Sequence, residues 1–253
     1  MRKISNTVCA ALFTVFMLAS CDDFFSSSWG TMRDYDLSKI KLTLDNLQEL
    51  KEKAVGNPEL AGALVEKIIR ELDGKSGAEK AAFQEAGIDL AIEQSGIGTS
   101  ILELAGKDIA NMSDETGLQD LLGSVQNKFN SGNGKAAARN IATIVDKSLP
   151  TSGQFPPGDQ YVARASASDV GMAVAVLALA VMPDIGSSDK DLKAQMNDGN
   201  KGISISGNTA TVKSNATHEE IAFAAYLNLI LRDPNGKYDG NPITSGIKSA
   251  FGS

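Results

Sequence analysis

The feature that most constrains the fold is an apolar segment in the second half of the chain. Residues 170–182 are apolar or glycine at every position, and Pro183 follows them directly. A helix over this segment has no polar face, so we expect it to lie at the centre of the fold with other elements around it. Membrane insertion is the alternative interpretation, but the segment is shorter than the roughly 20 residues that a membrane-spanning helix needs. The sequence therefore predicts a buried core helix.

Amphipathic helix patterns occupy most of the chain from residue 37 onward. Leu60, Leu64, Ile68 and Leu72 recur at every fourth position, which places them on one face of a helix. A second segment has apolar residues at helical spacing, at Leu118, Leu121, Leu122, Val125 and Phe129. Short loops separate such segments. The pattern predicts a mainly α fold, either a multi-helix bundle or an irregular helical array.

Six pairs of residues have the pattern of a helix start. Asparagine before proline joins a capping side chain to a residue that suits the first helical position. A capping residue followed three positions later by glutamate or glutamine forms a capping box. The pairs are Asn57-Pro58, Asn241-Pro242, Asp45 with Gln48, Ser76 with Glu79, Ser100 with Glu103, and Thr217 with Glu220. We therefore expect a helix to begin at each of them.

Residues 202–213 have the alternation typical of two short strands. The segments 203–206 and 209–212 alternate between apolar and hydroxyl-bearing side chains. Gly207-Asn208 between them tolerates the positive φ of a two-residue turn. Because an isolated hairpin is only marginally stable, we expect this small β-hairpin to pack on the helices.

The one long break in the helical pattern is residues 150–165. Pro150, Gly153, Pro156, Pro157 and Gly158 disfavour regular structure there. The break is either a domain boundary or a surface loop. Because the two halves are small, we expect a long loop within a single mostly helical domain that covers residues 37–253.

The first 21 residues have the composition of an export signal. Arg2 and Lys3 give a positive start, residues 7–19 are mostly apolar over less than the length of a membrane span, and the small Ser20 precedes Cys21. We therefore expect residues 1–20 to be a signal peptide.

Leu18-Ala19-Ser20-Cys21 resembles the lipobox of bacterial lipoproteins, in which a leucine and two small residues precede a cysteine. The resemblance implies that Cys21 becomes the first mature residue and carries a diacylglyceryl thioether and an N-terminal acyl group. Each buried methylene contributes roughly 0.8 kcal/mol, and two acyl chains are enough for stable anchoring. An ordinary secretory peptide with an incidental cysteine is the alternative.

Residues 21–36 are expected to form a flexible tether between the lipid and the domain. Residues 22–30 mix acids, serines and three aromatic residues without a period. Alternatively, Phe24, Phe25 and Trp29 rest at the level of the lipid headgroups, where amphipathic rings are favoured. Asp22 resembles the inner-membrane retention signal of enterobacterial lipoproteins. Sorting rules differ among bacteria, so the choice between inner and outer membrane stays open.

The charge balance disfavours nucleic acid as a partner. The precursor has 24 basic and 31 acidic residues, and loss of Arg2 and Lys3 leaves 22 against 31, a net charge of −9. Phosphate neutralisation needs clustered lysine and arginine, so the sequence predicts neither nucleic-acid binding nor polybasic attraction to anionic lipid. Cys9 is lost with the signal peptide, which leaves no pair for an intramolecular disulfide.

Candidate catalytic and metal-ligating residues are few. His218 is the sole histidine and lies at a helix start, so a surface position is expected rather than a catalytic or zinc-binding one. Gly74-Lys75-Ser76 imitates the end of a phosphate-binding loop, but Ile69 stands where the first glycine is needed.

A possible calcium loop also fails. Asp233, Asn235 and Asp239 lie in a Pro/Gly-rich loop, but Lys237 and Tyr238 break the EF-hand spacing. A plain turn is the better prediction. The sequence thus gives no catalytic residue, cofactor site or metal site, and Cys21 is the one modified residue that we expect.

Over most of its mature length the chain resembles the uncharacterised helical lipoproteins of spirochaetes, treponemes especially. The resemblance lies in residues 28–30 (Ser-Trp-Gly), 56–61 (Gly-Asn-Pro-Glu-Leu-Ala), 225–230 (Ala-Tyr-Leu-Asn-Leu-Ile) and 241–245 (Asn-Pro-Ile-Thr-Ser). It implies no activity, because that group has no assigned chemistry.

Three functions follow from these features. We expect a lipid-anchored protein of the bacterial cell envelope, facing the periplasm or the exterior, that is not an enzyme and that binds or scaffolds another envelope protein through an exposed apolar patch or groove. The alternative is a carrier of a small hydrophobic ligand in a closed cavity lined by residues such as Val176, Leu179 and Ile230. A hydrolase, which needs polar groups that converge on a cleft, ranks third.

Overall fold

The computed structural model describes residues 37–98, 100, 101, 114–147, 149, 153–185 and 191–252. The signal peptide, Cys21 and the tether predicted at 21–36 lie outside these residues. The chain divides into two compact units between Lys41 and Leu42. In the first unit the described residues include one 3₁₀ turn at Leu37–Lys39. The second unit, which begins five residues later than the predicted domain, contains all the elements below.

The described part of the second unit contains ten α-helices and one two-stranded sheet. The helices are α1 (Leu44–Ala54), α2 (Pro58–Glu71), α3 (Gly77–Gln94), α4 (Glu115–Ser131), α5 (Gly134–Asp146), α6 (Gln160–Arg164), α7 (Ala167–Val181), α8 (Leu192–Met196), α9 (His218–Leu231) and α10 (Pro242–Phe251). The strands are β1 (Ile203–Ser206) and β2 (Thr209–Val212), and a 3₁₀ turn at Leu72–Gly74 extends α2. The prediction of a mainly α fold with one small hairpin is confirmed.

Helix α7 lies at the centre of this unit. Every residue from Val170 to Leu179 is buried, and the helix contacts α3, α4, α5, α9 and α10. The helix begins with a capping box of Ser166 and Asp169. Each of these two side chains accepts a hydrogen bond from the other residue's backbone N–H. The core helix predicted from the apolar segment is therefore confirmed.

Helix α9 is the second buried element. Residues 222–228 are all buried, and the helix packs on α5, on α7 and on both strands. Its capping box joins Thr217 and Glu220 as predicted. Asn57 and Asn241 also cap α2 and α10 as predicted, each with the following proline at the first helical position.

One predicted helix start is wrong. Helix α1 begins at Leu44 with a capping box of Thr43 and Asn46, and not with Asp45 and Gln48. Asp45 is exposed in the first turn. The helix starts earlier because Thr43 is itself a capping residue and because this register buries Leu47 and Leu50.

The hairpin has the predicted two-residue turn. Strands β1 and β2 pair antiparallel, with Ile205 opposite Ala210 and Ser206 opposite Thr209, and Gly207 has a φ of +51°. The buried side-chain amide of Asn228 closes two hydrogen bonds on Ala210, donating to its carbonyl at 2.9 Å and accepting from its N–H at 2.9 Å. This amide pair holds β2 on α9, so the hairpin packs on a helix as predicted.

A second contact fixes the base of the hairpin. The Gly202 N–H donates to Glu220 Oε1 at 3.0 Å, while Glu220 Oε2 accepts from the Thr217 N–H. A Cβ at position 202 would lie 2.2 Å from the Cα of Ala216, so only glycine fits there. One buried carboxylate therefore caps α9 and anchors the start of β1.

The predicted loop at 150–165 is shorter than expected. Residues 150–152 lie outside the described part, residues 153–159 are irregular, and α6 then occupies Gln160–Arg164. Asp159 caps this short helix by accepting from the Val162 N–H at 3.0 Å. Helix α6 packs on α3, and its Tyr161 is buried. Because the Tyr161 ring is buried against the rest of the second unit, the segment that carries it belongs to that unit.

The burial of α7 predicts the effect of a charge there. Ala175→Asp is expected to lower the free energy of unfolding by at least about 3 kcal/mol, because the new carboxylate has no partner in the core. Ala136 is an exposed alanine near the start of α5, so Ala136→Asp is the matched control and is expected to change stability by less than about 0.5 kcal/mol. Urea unfolding followed by circular dichroism measures both. Equal stability of the two variants would contradict the buried position of Ala175.

Candidate functional site

The structure does not bring the candidate residues from the sequence together in one site. Cys21, the predicted lipidation site, lies outside the described residues. His218 has a side chain that is 73% exposed, and its Nδ1 lies 3.6 Å from Asp146 Oδ2. The surface position predicted for His218 is confirmed. Its one recorded polar neighbour is a carboxylate on the surface of α5, so the pair does not form a buried acid–base group.

The loop that precedes α10 is a turn held by a lysine. Asp233 accepts a hydrogen bond from the Tyr238 N–H at 2.7 Å, and Asp239 pairs with the ammonium group of Lys248. That ammonium group also lies 3.9 Å from Asp233. Lys248 therefore supplies the positive charge between the two carboxylates, which fits the predicted turn rather than a calcium loop.

Lys75 serves a structural role at the start of α3. Its Nζ lies 2.6 Å from Glu79 Oε1 and 4.3 Å from the centre of the Phe83 ring. An ion pair and a cation–π contact hold this ammonium group against the helix. Lys75 thus stabilises the start of α3, in agreement with the prediction that residues 74–76 are not a phosphate-binding loop.

One cleft among the described residues, which we call the basic cleft, lies where four parts of the chain meet. Helix α5, the end of α7, the residue before the hairpin and the start of α9 enclose about 290 Å³. Its lining residues are Lys135, Arg139, Ala180, Val181, Lys201, Thr217, Glu219 and Glu220. Three of these eight side chains are cationic and two, Glu219 and Glu220, are carboxylates, so the lining has one excess positive charge.

The charged groups of the basic cleft differ in how firmly they are held. Arg139 Nε lies 3.9 Å from Glu219 Oε1, and the Arg139 side chain is 73% exposed. Such surface pairs contribute about 0–1 kcal/mol, so the guanidinium group can leave Glu219 at little cost. Lys201 donates to the Val181 carbonyl at the end of α7. Lys135 makes no ion pair within the described part of the chain.

The second cleft also encloses about 290 Å³ but offers less free charge. It lies between the start of α3, the end of α5 and α6. Lys80 Nζ donates to the Lys147 carbonyl at 2.9 Å, and Lys147 Nζ pairs with Asp73 at 2.6 Å. Both lysines are therefore already used in contacts between helices.

A buried aromatic cluster joins α6 to α9. The hydroxyl groups of Tyr161 and Tyr226 share a hydrogen bond of 2.7 Å, and the Phe155 ring lies edge-on to Tyr226 at 5.5 Å between centroids. Burial raises the pKa of both tyrosine hydroxyls well above the ordinary value. Both hydroxyls therefore stay protonated at physiological pH, and the pair acts as a structural contact.

One buried carboxylate also has a shifted pKa. Burial raises the pKa of Asp89 on α3, while the ion pair with Lys51 of α1 opposes the shift. Glu93, one turn further along α3, accepts from the Gly56 N–H at 2.7 Å. These two acids fasten α1 and the following loop to α3, and the contacts account for their positions without a ligand.

Tyr238 contains the one buried side-chain polar atom without a hydrogen-bond partner among the described residues. Its ring is buried, and the Lys237 ammonium group lies 5.5 Å from the ring centre. Burial and the nearby Asp233 carboxylate raise the pKa of Tyr238 to about 12. The hydroxyl is neutral and unpaired, and it costs stability where it lies.

The residues suggested for a carrier cavity are tightly packed. Val176, Leu179 and Ile230 are at most 1% exposed, and neither cleft is lined by them. Among the described residues the large apolar side chains that reach the surface are Leu44 and Val55, at the two ends of α1. The described surface therefore has few strongly exposed large apolar side chains.

The described residues contain neither a membrane-spanning helix nor a metal-binding cluster. None of the described helices combines the length and the apolar character that crossing a bilayer requires. The same residues contain no group of three or more histidine, cysteine, aspartate or glutamate side chains placed to hold a metal ion. No family model, curated protein or solved structure matches the chain.

Sequence reasoning missed the basic cleft. Lys135 and Arg139 are spaced four apart in a helix, which places both on one face, and that signal was available. Lys201 lies more than 60 positions later and reaches the same cleft only through the packing of the hairpin on α9. Its contribution follows from the tertiary structure alone.

The two kinds of buried tyrosine predict opposite effects of removing a hydroxyl group. Tyr238→Phe is expected to leave the free energy of unfolding unchanged or to raise it by up to about 1 kcal/mol, because an unpaired buried hydroxyl is lost. Tyr161→Phe is expected to lower it by about 1–2 kcal/mol, because the Tyr226 hydroxyl then loses its partner. Urea unfolding measures both. A loss of stability in Tyr238→Phe as large as in Tyr161→Phe would mean that the Tyr238 hydroxyl is hydrogen-bonded.

Proposed function

We propose that the chain is a lipid-anchored lipoprotein of a bacterial cell envelope, of the type found in spirochaetes, and that its folded unit is a non-catalytic binding or scaffold module for another envelope component. The observation that carries the proposal is the lipobox pattern at residues 18–21, in register with the positive start and the apolar segment before it. Acyl chains on Cys21 then hold the protein on the membrane.

A binding role fits the use of the titratable side chains. Glu220, Asp89 and Lys75 each have partners within the fold, and the exposed His218 lies beside the Asp146 carboxylate. General acid–base catalysis needs such groups within reach of a shared substrate position. Because few large apolar side chains of the described residues are strongly exposed, we expect recognition through charged and hydrogen-bonding groups rather than through the apolar patch inferred from the sequence.

Removal of the anchor cysteine tests the first half of the proposal. Cys21→Ser is expected to leave an unprocessed chain that keeps residues 1–20 and has no acyl mass. Cys9→Ser is the matched control, since Cys9 lies within the same signal segment and is expected to be dispensable for lipidation. Intact-mass spectrometry measures both variants. Unchanged acyl mass in Cys21→Ser would refute the anchor.

Crosslinking in the native envelope, followed by mass spectrometry, tests the second half. We expect the anchored protein to be joined reproducibly to one protein of the envelope. Bound lipid in the purified protein, with no reproducible protein crosslink, would instead favour the carrier function.

A further inference from the structure

The charge distribution of the fold contains a local reversal. Residues 121–145 carry Lys128, Lys135 and Arg139 and no aspartate or glutamate, although acids outnumber bases in the whole chain by 31 to 24. This segment covers most of α4 and α5. A cluster of one sign attracts groups of the opposite sign when the surrounding structure gathers the charges around one cavity.

The basic cleft brings three cationic side chains around one cavity. Lys135 and Arg139 line it from α5, and Lys201 lines it from the opposite side, just before β1. The hairpin base fixes the position of Lys201, because the neighbouring Gly202 N–H is bound by Glu220. The three cations therefore come from distant parts of the chain and face one space of about 290 Å³.

The two acids in the cleft wall offset part of this charge. Glu220 is buried, and its two oxygens accept hydrogen bonds from the N–H groups of Gly202 and Thr217, which hold the carboxylate in the fold. Glu219 is 3.9 Å from Arg139, a separation typical of a weak surface pair. Three cations against two carboxylates leave one excess positive charge, and Arg139 can turn from Glu219 to a ligand.

Helix α9 adds to the same effect. Thr217, Glu219 and Glu220 place the first turn of this 14-residue helix at the cleft. The backbone N–H groups of a first helical turn carry partial positive charge and favour anions. The N-terminal end of α9 therefore acts in the same direction as the three cationic side chains. The C-terminal end of α7 acts against them, but Lys201 already binds its Val181 carbonyl.

We propose that the basic cleft binds a phosphate-type oxyanion, carried either by a soluble small molecule or by a lipid headgroup. A volume of about 290 Å³ suits one such group rather than a large ligand. The inference rests on the proposed function, since it names the chemical group that the binding module recognises. Lys135 and Arg139 bind the oxyanion, and Lys201 lines the opposite wall.

The first experiment measures binding of a soluble probe. The purified lipidated protein in neutral detergent is titrated with inorganic pyrophosphate at constant ionic strength, and the melting temperature is recorded. Ligand binding to the folded state raises that temperature. We expect the rise to require at least about tenfold more pyrophosphate in the Lys135→Ala/Arg139→Ala variant, because charge-assisted hydrogen bonds to the oxyanion are lost.

The control removes the same two residue types elsewhere. Lys53 on α1 and Arg70 on α2 are exposed and do not line the cleft. Lys53→Ala/Arg70→Ala is expected to keep the wild-type response. Circular dichroism checks that both variants fold. An equal loss of pyrophosphate binding in both would show that general charge, and not the cleft, attracts the anion, and would overturn the proposal.

A second experiment separates the two sources of the oxyanion. The full chain with Cys21→Ser, which lacks acyl chains, is mixed with vesicles of phosphatidylcholine alone or with added phosphatidylglycerol. Cleft-dependent binding to the phosphatidylglycerol vesicles supports a headgroup, and cleft-dependent binding of pyrophosphate alone supports a soluble source. Binding to neither probe overturns the inference. Missing acyl mass on Cys21 in a protein that still binds pyrophosphate would refute only the anchor.

Discussion

The structure depends on the burial of α7 from Val170 to Leu179. A helical segment that is apolar on every side must be covered on every side, and α3, α4, α5, α9 and α10 together cover this one. Each fully buried valine, leucine or methionine side chain contributes about 1.5–3 kcal/mol relative to an exposed one. Since α9 is also buried along most of its length, the other helices are arranged around two apolar helices rather than around one seam.

Two buried apolar helices leave few places where polar groups can fix the packing. Those few are satisfied by paired contacts: the Asn228 amide matches both backbone groups of Ala210, and Glu220 serves the base of the hairpin and the start of α9 together. Loss of either side chain would leave buried backbone groups unpaired, at about 1–3 kcal/mol each. The hairpin is therefore held by hydrogen bonds that allow only one register on α9.

Local patterns predicted the elements that depend on local physics. The apolar segment at 170–182 and the Gly207-Asn208 turn carry their structure in neighbouring residues, and both predictions are confirmed. The predicted start of α1 was wrong because two capping patterns overlap, one at Thr43 and one at Asp45. The helix uses Thr43, and in this register Leu47 and Leu50 are buried. Helix α6 was missed because its stability comes from the ring of Tyr161 packing on residues 65 positions away. The basic cleft has the same origin, since Lys201 reaches α5 only through tertiary contacts.

The division between an apolar interior and a polar exterior sets the means of recognition. Large apolar side chains are used inside, and of the described residues only those at the ends of α1 leave large apolar area exposed. The proposed partner would therefore meet charged and hydrogen-bonding groups, whose attraction is screened by salt beyond about 8–10 Å at physiological ionic strength. Electrostatic recognition of this kind governs encounter and specificity more than affinity. The proposed lipid anchor would complement it, because attachment of both proteins to one membrane raises their local concentration, so that weak polar contacts suffice.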